Sequence, residues 1–227
     1  MPPPPVASRR PVPLAATAEI AQAVMSDALS ALAARGETRR YRKGTLLIQE
    51  GDIGDMMFII LSGRMRAFSA GDNDREVTYG VYGPGEYMGE VSLDGGPRSA
   101  SVITLEACQC AVVTRRTLMA FISERPEFTF ELLEKLIRRV RATTLGVRQL
   151  ALNDVYGRLR LLLGALSVAQ GEGVPRLIER LTHQEMANRL GCSREMVSRL
   201  MKDLERGGYI TLQNGCFALT KALPHRW

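Results

Sequence analysis

Apolar and polar positions change rhythm twice along the 227 residues of the chain. From 41 to 114, glycines at 44, 51, 54, 63, 71, 80, 83, 85, 89, 95 and 96 cut the chain into short pieces. Between them lie β-rich runs at 45–49, 57–61, 76–82 and 101–113, which predict a small β-sandwich or barrel. Ahead of it, residues 17–34 carry alanine and apolar positions at helical spacing up to Gly36, a short amphipathic helix. After Thr114 the period lengthens from that of a strand to that of a helix. A short helix is expected over 115–123, and Pro126 begins a long one, about 127–152, in its first turn. Leu133, Leu136, Val140, Thr143, Val147 and Leu150 recur at alternating steps of three and four, the seam of a two-stranded coiled coil. Arg138, Arg139, Arg141 and Arg148 occupy the charged faces beside it.

A further apolar-striped helix is expected over 154–170, then a turn at 171–176. In 181–210, Thr182 and Glu185 have the spacing of a capping box. Gly191 breaks the first helix and Ser193 caps a second, which runs to about Arg206 and buries Met196, Val197, Leu200 and Leu204. With Ala187 small enough for a helix crossing and Gly191 at a tight turn, the pair reads as a helix-turn-helix. Two β-like runs, 209–213 and 216–219, follow around Asn214-Gly215, a strong hairpin signal and a candidate wing. The outward face of the second helix carries Arg194, Glu195, Ser198, Arg199 and Lys202, with Ser193 and Arg194 at the end that enters a major groove. Arginine forks onto guanine, a carboxylate accepts from cytosine, and Lys202 suits phosphate. A merely solvated charged face is the plainer alternative. The wing and the positive balance favour DNA.

Composition narrows the classes. Hydrophobic residues are 45% of the chain, enough for packed cores, and the formal net charge is +6, which suits a polyanionic partner. No apolar run has the length of a membrane span, and the proline-rich start, read as a solvated tail over 1–13, is unlike a secretory signal. A cytoplasmic protein without membrane contact is expected. Cys108, Cys110, Cys192 and Cys216 contain no CxxC pair, and His183 and His225 are the only histidines. Neither a metal site nor a prosthetic group is expected, and no nucleophile–base pair or paired catalytic carboxylates suggest an enzyme. Cys108 and Cys110 are expected to be buried free thiols on one face of a strand.

The run GEYMGEVSLDGGPRSASV, 85–102, carries a second chemistry. A phosphate pocket needs approachable backbone N–H groups and a positive fork. Gly89, the amides of Ser99 and Ala100, and Arg98 supply these, and Glu90 can accept from a ribose hydroxyl. A Glu90–Arg98 ion pair across the turn would give the same residues a purely structural role.

This run, together with GCSREMVSRLMKDLE at 191–205, resembles the CRP/FNR family of bacterial regulators over roughly residues 15–220. The resemblance implies an α+β chain: a cyclic-nucleotide-binding, jelly-roll-like β-roll (14–126), a dimerisation helix (127–153) and a winged helix-turn-helix (154–227). It implies that Gly89 and Glu90 are the family's glycine and ribose-binding glutamate. Arg98 and Ser99 would be phosphate ligands, with Ala100 completing the motif. Thr143 and Thr144 would match the hydroxyls that contact adenine in cAMP-responsive members, one from each protomer of a homodimer. Arg194, Glu195 and Arg199 would read palindromic, TGTGA-like double-stranded DNA, and RNA polymerase would be the downstream partner. The implied ligand is cAMP. Cyclic di-GMP, cGMP or constitutive action stay open, because the loop between Glu90 and Arg98 looks about one or two residues shorter than usual. The oxygen-sensing branch's N-terminal cysteine cluster is absent. A regulatory module that binds a nucleotide but no DNA is the rival from another class.

Overall fold

The computed structural model describes residues 25–71, 75–168, 176–178, 180–213 and 216–225. The proline-rich tail, the first part (17–24) of the helix expected over 17–34, and the Asn214-Gly215 turn lie outside these. Helix α1 (Asp27–Ala33) begins at Ser26, whose side chain accepts from the Leu29 amide.

Strands β1 (Glu37–Tyr41), β2 (Leu46–Ile48), β3 (Met56–Ser62), β4 (Met65–Ala70), β5 (Glu76–Tyr82), β6 (Tyr87–Met88), β7 (Ser101–Thr104) and β8 (Cys108–Thr114) form two antiparallel sheets. Their orders are β1-β8-β3-β6 and β2-β7-β4-β5. The predicted sandwich is thus present. The single run expected over 101–113 is two strands, because the chain changes sheet between Thr104 and Cys108, where the Leu105 amide donates to the Arg64 carbonyl.

Strand β3 is apolar at successive positions because it buries both faces. Phe58 and Ile60 join Met65, Val102, Cys108, Cys110 and Val112 between the sheets. Met57 and Ile59 join Leu29, Leu32, Ala111 and Val113 under the helices. Cys108 and Cys110 are buried and unpaired, as expected, and burial pushes the Cys110 thiol up to about 12.

Helix α2 (Arg115–Glu124), capped by Thr114, packs Leu118 and Phe121 onto the second of these clusters. Helix α3 (Phe128–Leu152) then runs for 25 residues from Glu127, so Pro126 stands before its cap rather than in its first turn. Phe128 anchors it edge-on to Phe121, with ring centres 5.2 Å apart.

The apolar seam of α3 differs in register from the one expected. Phe130, Leu133, Ile137, Val140 and Val147 are exposed, from 41% to 72% of their surface, and with Thr144 they recur at steps of three and four. Leu136 is half-buried and Thr143 turns toward the sandwich. Two apolar stripes run side by side on this helix. Leu132 packs onto the sandwich core, and the exposed stripe is left for another surface.

Asn153 adopts extended dihedrals and ends α3. Helix α4 (Val155–Leu166) restarts with Asp154, whose side chain accepts from the Gly157 amide. It is shorter than the helix expected over 154–170, because Ser167–Val168 form strand β9, paired with β10 (Arg176–Ile178). Helices α5 (His183–Leu190) and α6 (Arg194–Arg206) and strands β11 (Ile210–Gln213) and β12 (Cys216–Leu219) complete this part. Leu159, Leu162, Leu163, Met186, Ala187, Leu190, Val197, Met201, Leu204 and Ile210 form its own core. Among the described residues no helix is long and apolar enough to cross a membrane.

Candidate ligand cavity and nucleic-acid interface

A cavity of about 910 Å³ lies between the second sheet, the segment 86–100 and one face of α3. Six of the seven residues expected to meet the ligand are on its wall, Gly89, Glu90, Arg98, Ser99, Ala100 and Thr143, while Thr144 is not. Gly89 takes φ 91°, and a Cβ there would fall 2.7 Å from both Arg98 Nη1 and the Met56 carbonyl, so backbone conformation and space both demand glycine. Gly54 is constrained by space alone, since a Cβ would fall 2.6 Å from Arg98 Nη2.

The Arg98 guanidinium is wedged between these two glycines. It donates through Nη1 to the Gly89 carbonyl at 2.7 Å and through Nη2 to the Met56 carbonyl at 2.9 Å. The residue is 8% exposed, and among the described residues no carboxylate pairs with it. Burial holds its pKa below the usual guanidinium range, against the attraction of Asp55, Glu90 and Asp52. The expected alternative of a Glu90–Arg98 ion pair is not what forms. A guanidinium has five N–H donors, and the carbonyls take two, so the fork is fixed in direction and keeps donors to spare. The amides of Ser99 and Ala100 have no internal acceptor among the described residues.

Glu90 opens a short 3-10 helix (Glu90–Asp94) and pairs instead with Arg139 of α3, Nη1 to Oε1 at 2.5 Å. Arg139 also donates to the Tyr87 carbonyl at 2.6 Å and lies 3.4 Å from Glu86. Its charged carbon stands 4.9 Å from the centre of the Tyr82 ring. Lys135, one turn earlier, donates to the Gly85 carbonyl at 2.6 Å, with Glu86 at 3.8 Å. Burial would lower the Arg139 pKa, but Glu90 and the tyrosines outweigh it and hold it above the ordinary value. For Lys135, burial wins over Glu86 and Glu131 and the pKa falls.

The sequence reading assigned Arg139 to a charged face beside the seam, and the structure corrects this. The legible signal was Lys135 and Arg139, one helical turn apart, facing Glu86 and Glu90 at the same spacing. Tyr79, Gly80 and Tyr82 of β5 also line the cavity and were missed, because they read simply as strand.

Thr143 and Thr144 both donate to carbonyls of their own helix, those of Arg139 and Val140, at 3.0 and 2.9 Å. Thr143 faces the cavity, and it is Thr144, not Thr143, that interrupts the exposed apolar seam.

The second site is built on α5 and α6. The capping box forms as expected: the Glu185 amide donates to Thr182 Oγ1 and the Thr182 amide to Glu185 Oε2. Gly191 ends α5 at φ 64°, and Ser193 caps α6 by accepting from the Met196 amide. Val197, Met201 and Leu204 face inward, while Met196 and Leu200, expected to be buried, are only partly so. Arg194, Glu195, Arg199 and Lys202 are exposed on the opposite face. Ser198 is half-buried, because its hydroxyl lies 2.9 Å from His183 Nδ1. The His183 ring stacks on Phe217 of β12, so the start of α5, the middle of α6 and the hairpin are joined at this point.

Comparison with known proteins bears on both sites. A cyclic nucleotide-binding domain model matches residues 38–125, and a model of bacterial regulatory proteins of the crp family matches residues 180–210. The chain is 33% identical over 202 residues to the CRP-like cAMP-activated global transcriptional regulator of Mycobacterium tuberculosis, covering 87% of this chain and 90% of that protein. The chain belongs to the CRP/FNR family. The cyclic AMP receptor protein of Thermus thermophilus is 32% identical over 82% of this chain and 85% of its own. Among solved structures, the c-di-GMP-responsive regulator CLP of Xanthomonas campestris superposes with a TM-score of 0.75 at 27% identity, over 86% of this chain and 98% of that one. The CRP/FNR fold is thus shared through both parts and the helix between them. The two family models leave α3 unmatched, including the Lys135–Arg139 face that closes the cavity.

Proposed function

We propose that this CRP/FNR chain is a cytoplasmic, cAMP-responsive transcription regulator that binds palindromic double-stranded DNA with TGTGA-like half-sites as a homodimer. The observation that carries the ligand is Arg98: a buried guanidinium with no carboxylate in ion-pair contact, held at the cavity wall by two carbonyls and packed against Gly89 and Gly54. Burying such a charge alone is costly, and an anionic phosphate offsets it with charge-assisted hydrogen bonds. Ser99 and Ala100 add amides, and Glu90, fixed by Arg139, accepts from a ribose hydroxyl. Thr143 of one protomer and Thr144 of its partner border the base. Residues 14–126 sense, 127–153 dimerise and 154–227 read DNA.

Ligand and DNA communicate through two dimer states, of which the ligand favours the one that spaces two α6 helices by ~34 Å, one turn of DNA. Serine and arginine at the start of α6 enter the groove, Arg194, Glu195 and Arg199 reach base edges, and Ser198 and Lys202 serve position and phosphate contact. The dimer then recruits or blocks RNA polymerase.

Calorimetric titration of the purified protein with cAMP, cGMP and cyclic di-GMP tests the ligand. The expected result is micromolar binding of cAMP in preference to the others. Preference for cyclic di-GMP would replace cAMP and keep the architecture, an alternative favoured by the likeness to CLP and by the roomy cavity. Absence of binding to all three, repeated by equilibrium dialysis, would overturn the cyclic-nucleotide reading. A gel shift with a palindromic duplex separates a DNA regulator from a module without DNA binding. Arg199→Ala is expected to cost about 1–3 kcal/mol at one base position and relax preference there. An unchanged preference across a panel of single-base substitutions would remove Arg199 from the reading set.

A further inference from the structure

The helix-turn-helix unit has its own core, yet α5 touches the sensor at one well-defined polar point. Asn188 of α5 is only 9% exposed, and its side-chain nitrogen donates to Glu76 Oε2 of β5 at 2.9 Å. Its oxygen is occupied by Gln184 Nε2 at 2.8 Å, which sets the direction of the amide. On the sensor side the carboxylate is held in advance. Arg66 Nη1 of β4 meets the same Oε2 at 2.6 Å and Thr78 Oγ1 at 3.3 Å, with the guanidinium over the Phe68 ring at 4.3 Å. The contact joins residues 112 positions apart in the chain. Strand β5 carries Glu76 at one end, and at the other Tyr79, Gly80 and Tyr82, which wall the cavity.

We propose that Glu76 is a positioning residue: through Asn188 it fixes α5, and with it α6, against the strand that walls the ligand cavity, and so transmits ligand occupancy to DNA affinity. The idea rests on the cyclic-nucleotide reading above for its ligand, but the contact itself does not. Neither Glu76 nor Asn188 lines the cavity or belongs to the exposed face of α6. A packing contact without a signalling role would leave the coupling between ligand and DNA intact when it is broken, and that is where the two accounts part.

The test uses the full-length protein and three forms: wild type, Asn188→Asp, and the double variant Glu76→Gln with Asn188→Asp. Asn188→Asp sets two carboxylates against each other. The double variant exchanges donor and acceptor: the amide introduced on β5 donates to the carboxylate introduced on α5, with total charge preserved. DNA affinity is measured by fluorescence anisotropy with and without saturating cAMP, cAMP affinity by calorimetry, and melting by differential scanning. In Asn188→Asp the factor by which cAMP changes DNA affinity is expected to fall to a third or less of the wild-type factor. The cAMP affinity stays within twofold, and the double variant recovers the wild-type factor within twofold. Retention of the factor in Asn188→Asp, or failure of the double variant to recover it, overturns the proposal. If cAMP leaves wild-type DNA affinity unchanged, the ligand assignment falls. The contact is then judged on ligand-free DNA affinity alone, where a threefold change reversed in the double variant supports it and no change overturns it. If Asn188→Asp does not fold, Glu76→Ala, at the more exposed partner, takes its place with the same readouts and thresholds.

Discussion

Replacing Arg98 with leucine is expected to weaken cAMP binding by roughly 100-fold or more, close to 3 kcal/mol, and to abolish the effect of cAMP on DNA binding. The size follows from the number of interactions lost together. The phosphate would lose a positive charge and a planar fork at a point where burial leaves little water to replace them. The fold itself is expected to change little in stability, because two effects oppose each other. Leucine removes a buried cation that no carboxylate contacts directly, but it leaves the carbonyls of Gly89 and Met56 without their donor, each at a cost of about 1–3 kcal/mol. Arg98→Lys restores charge without the fork and is expected to fall between wild type and leucine. Calorimetry with cAMP and a melting curve of the ligand-free protein read the two effects separately. Full cAMP binding in Arg98→Leu would remove the residue from the ligand site. A collapse in melting temperature would give it a structural role instead.

The parts of this molecule that the sequence makes legible are those in which local chemistry decides. Thr182, Glu185 and Gly191 sit within one turn of the groups they satisfy, so the capping box and the left-handed helix end could be read by spacing alone. In the run 85–102 the spacing of nine residues between Gly89 and Arg98 was legible too, and the structure brings the two together, with the guanidinium donating to the Gly89 carbonyl. What escaped depends on distant neighbours. Whether Arg139 is a solvated charge or the partner of Glu90 depends on how α3 lies on the sandwich, 49 residues away in sequence. Gly54 showed as a turn residue, whereas its other duty is to leave room for Arg98. The seam failed for a different reason. Apolar residues occupy two adjacent stripes of α3, and both Leu136 and Ile137 fit a heptad; only their burial against the sensor tells which stripe is left over.

That leftover stripe leads to the second large expected effect. Ile137 and Val140 are 41% and 64% exposed at the middle of the stripe formed by Phe130, Leu133, Thr144 and Val147. In a two-stranded arrangement about a two-fold axis each of these residues lies near its own copy. Ile137→Glu with Val140→Glu therefore places four carboxylates at the centre of the interface and removes four apolar side chains from it. The expected result is a monomer at micromolar concentration in light scattering, against a dimer expected for the wild type. Specific binding to a palindromic duplex is expected to fall by at least 100-fold, since one α6 then has to bind a half-site alone. The sensor's own core uses the other stripe, with Leu132 and Phe128, so the monomer is expected to keep its secondary structure by circular dichroism. Ligand binding offers a further check on Thr144. If the partner's hydroxyl borders the base, the monomer binds cAMP more weakly even though Arg98, Glu90 and Thr143 are untouched. A variant that stays dimeric would move the interface off this stripe. A folded monomer with undiminished cAMP affinity would show the cavity to be complete within one chain.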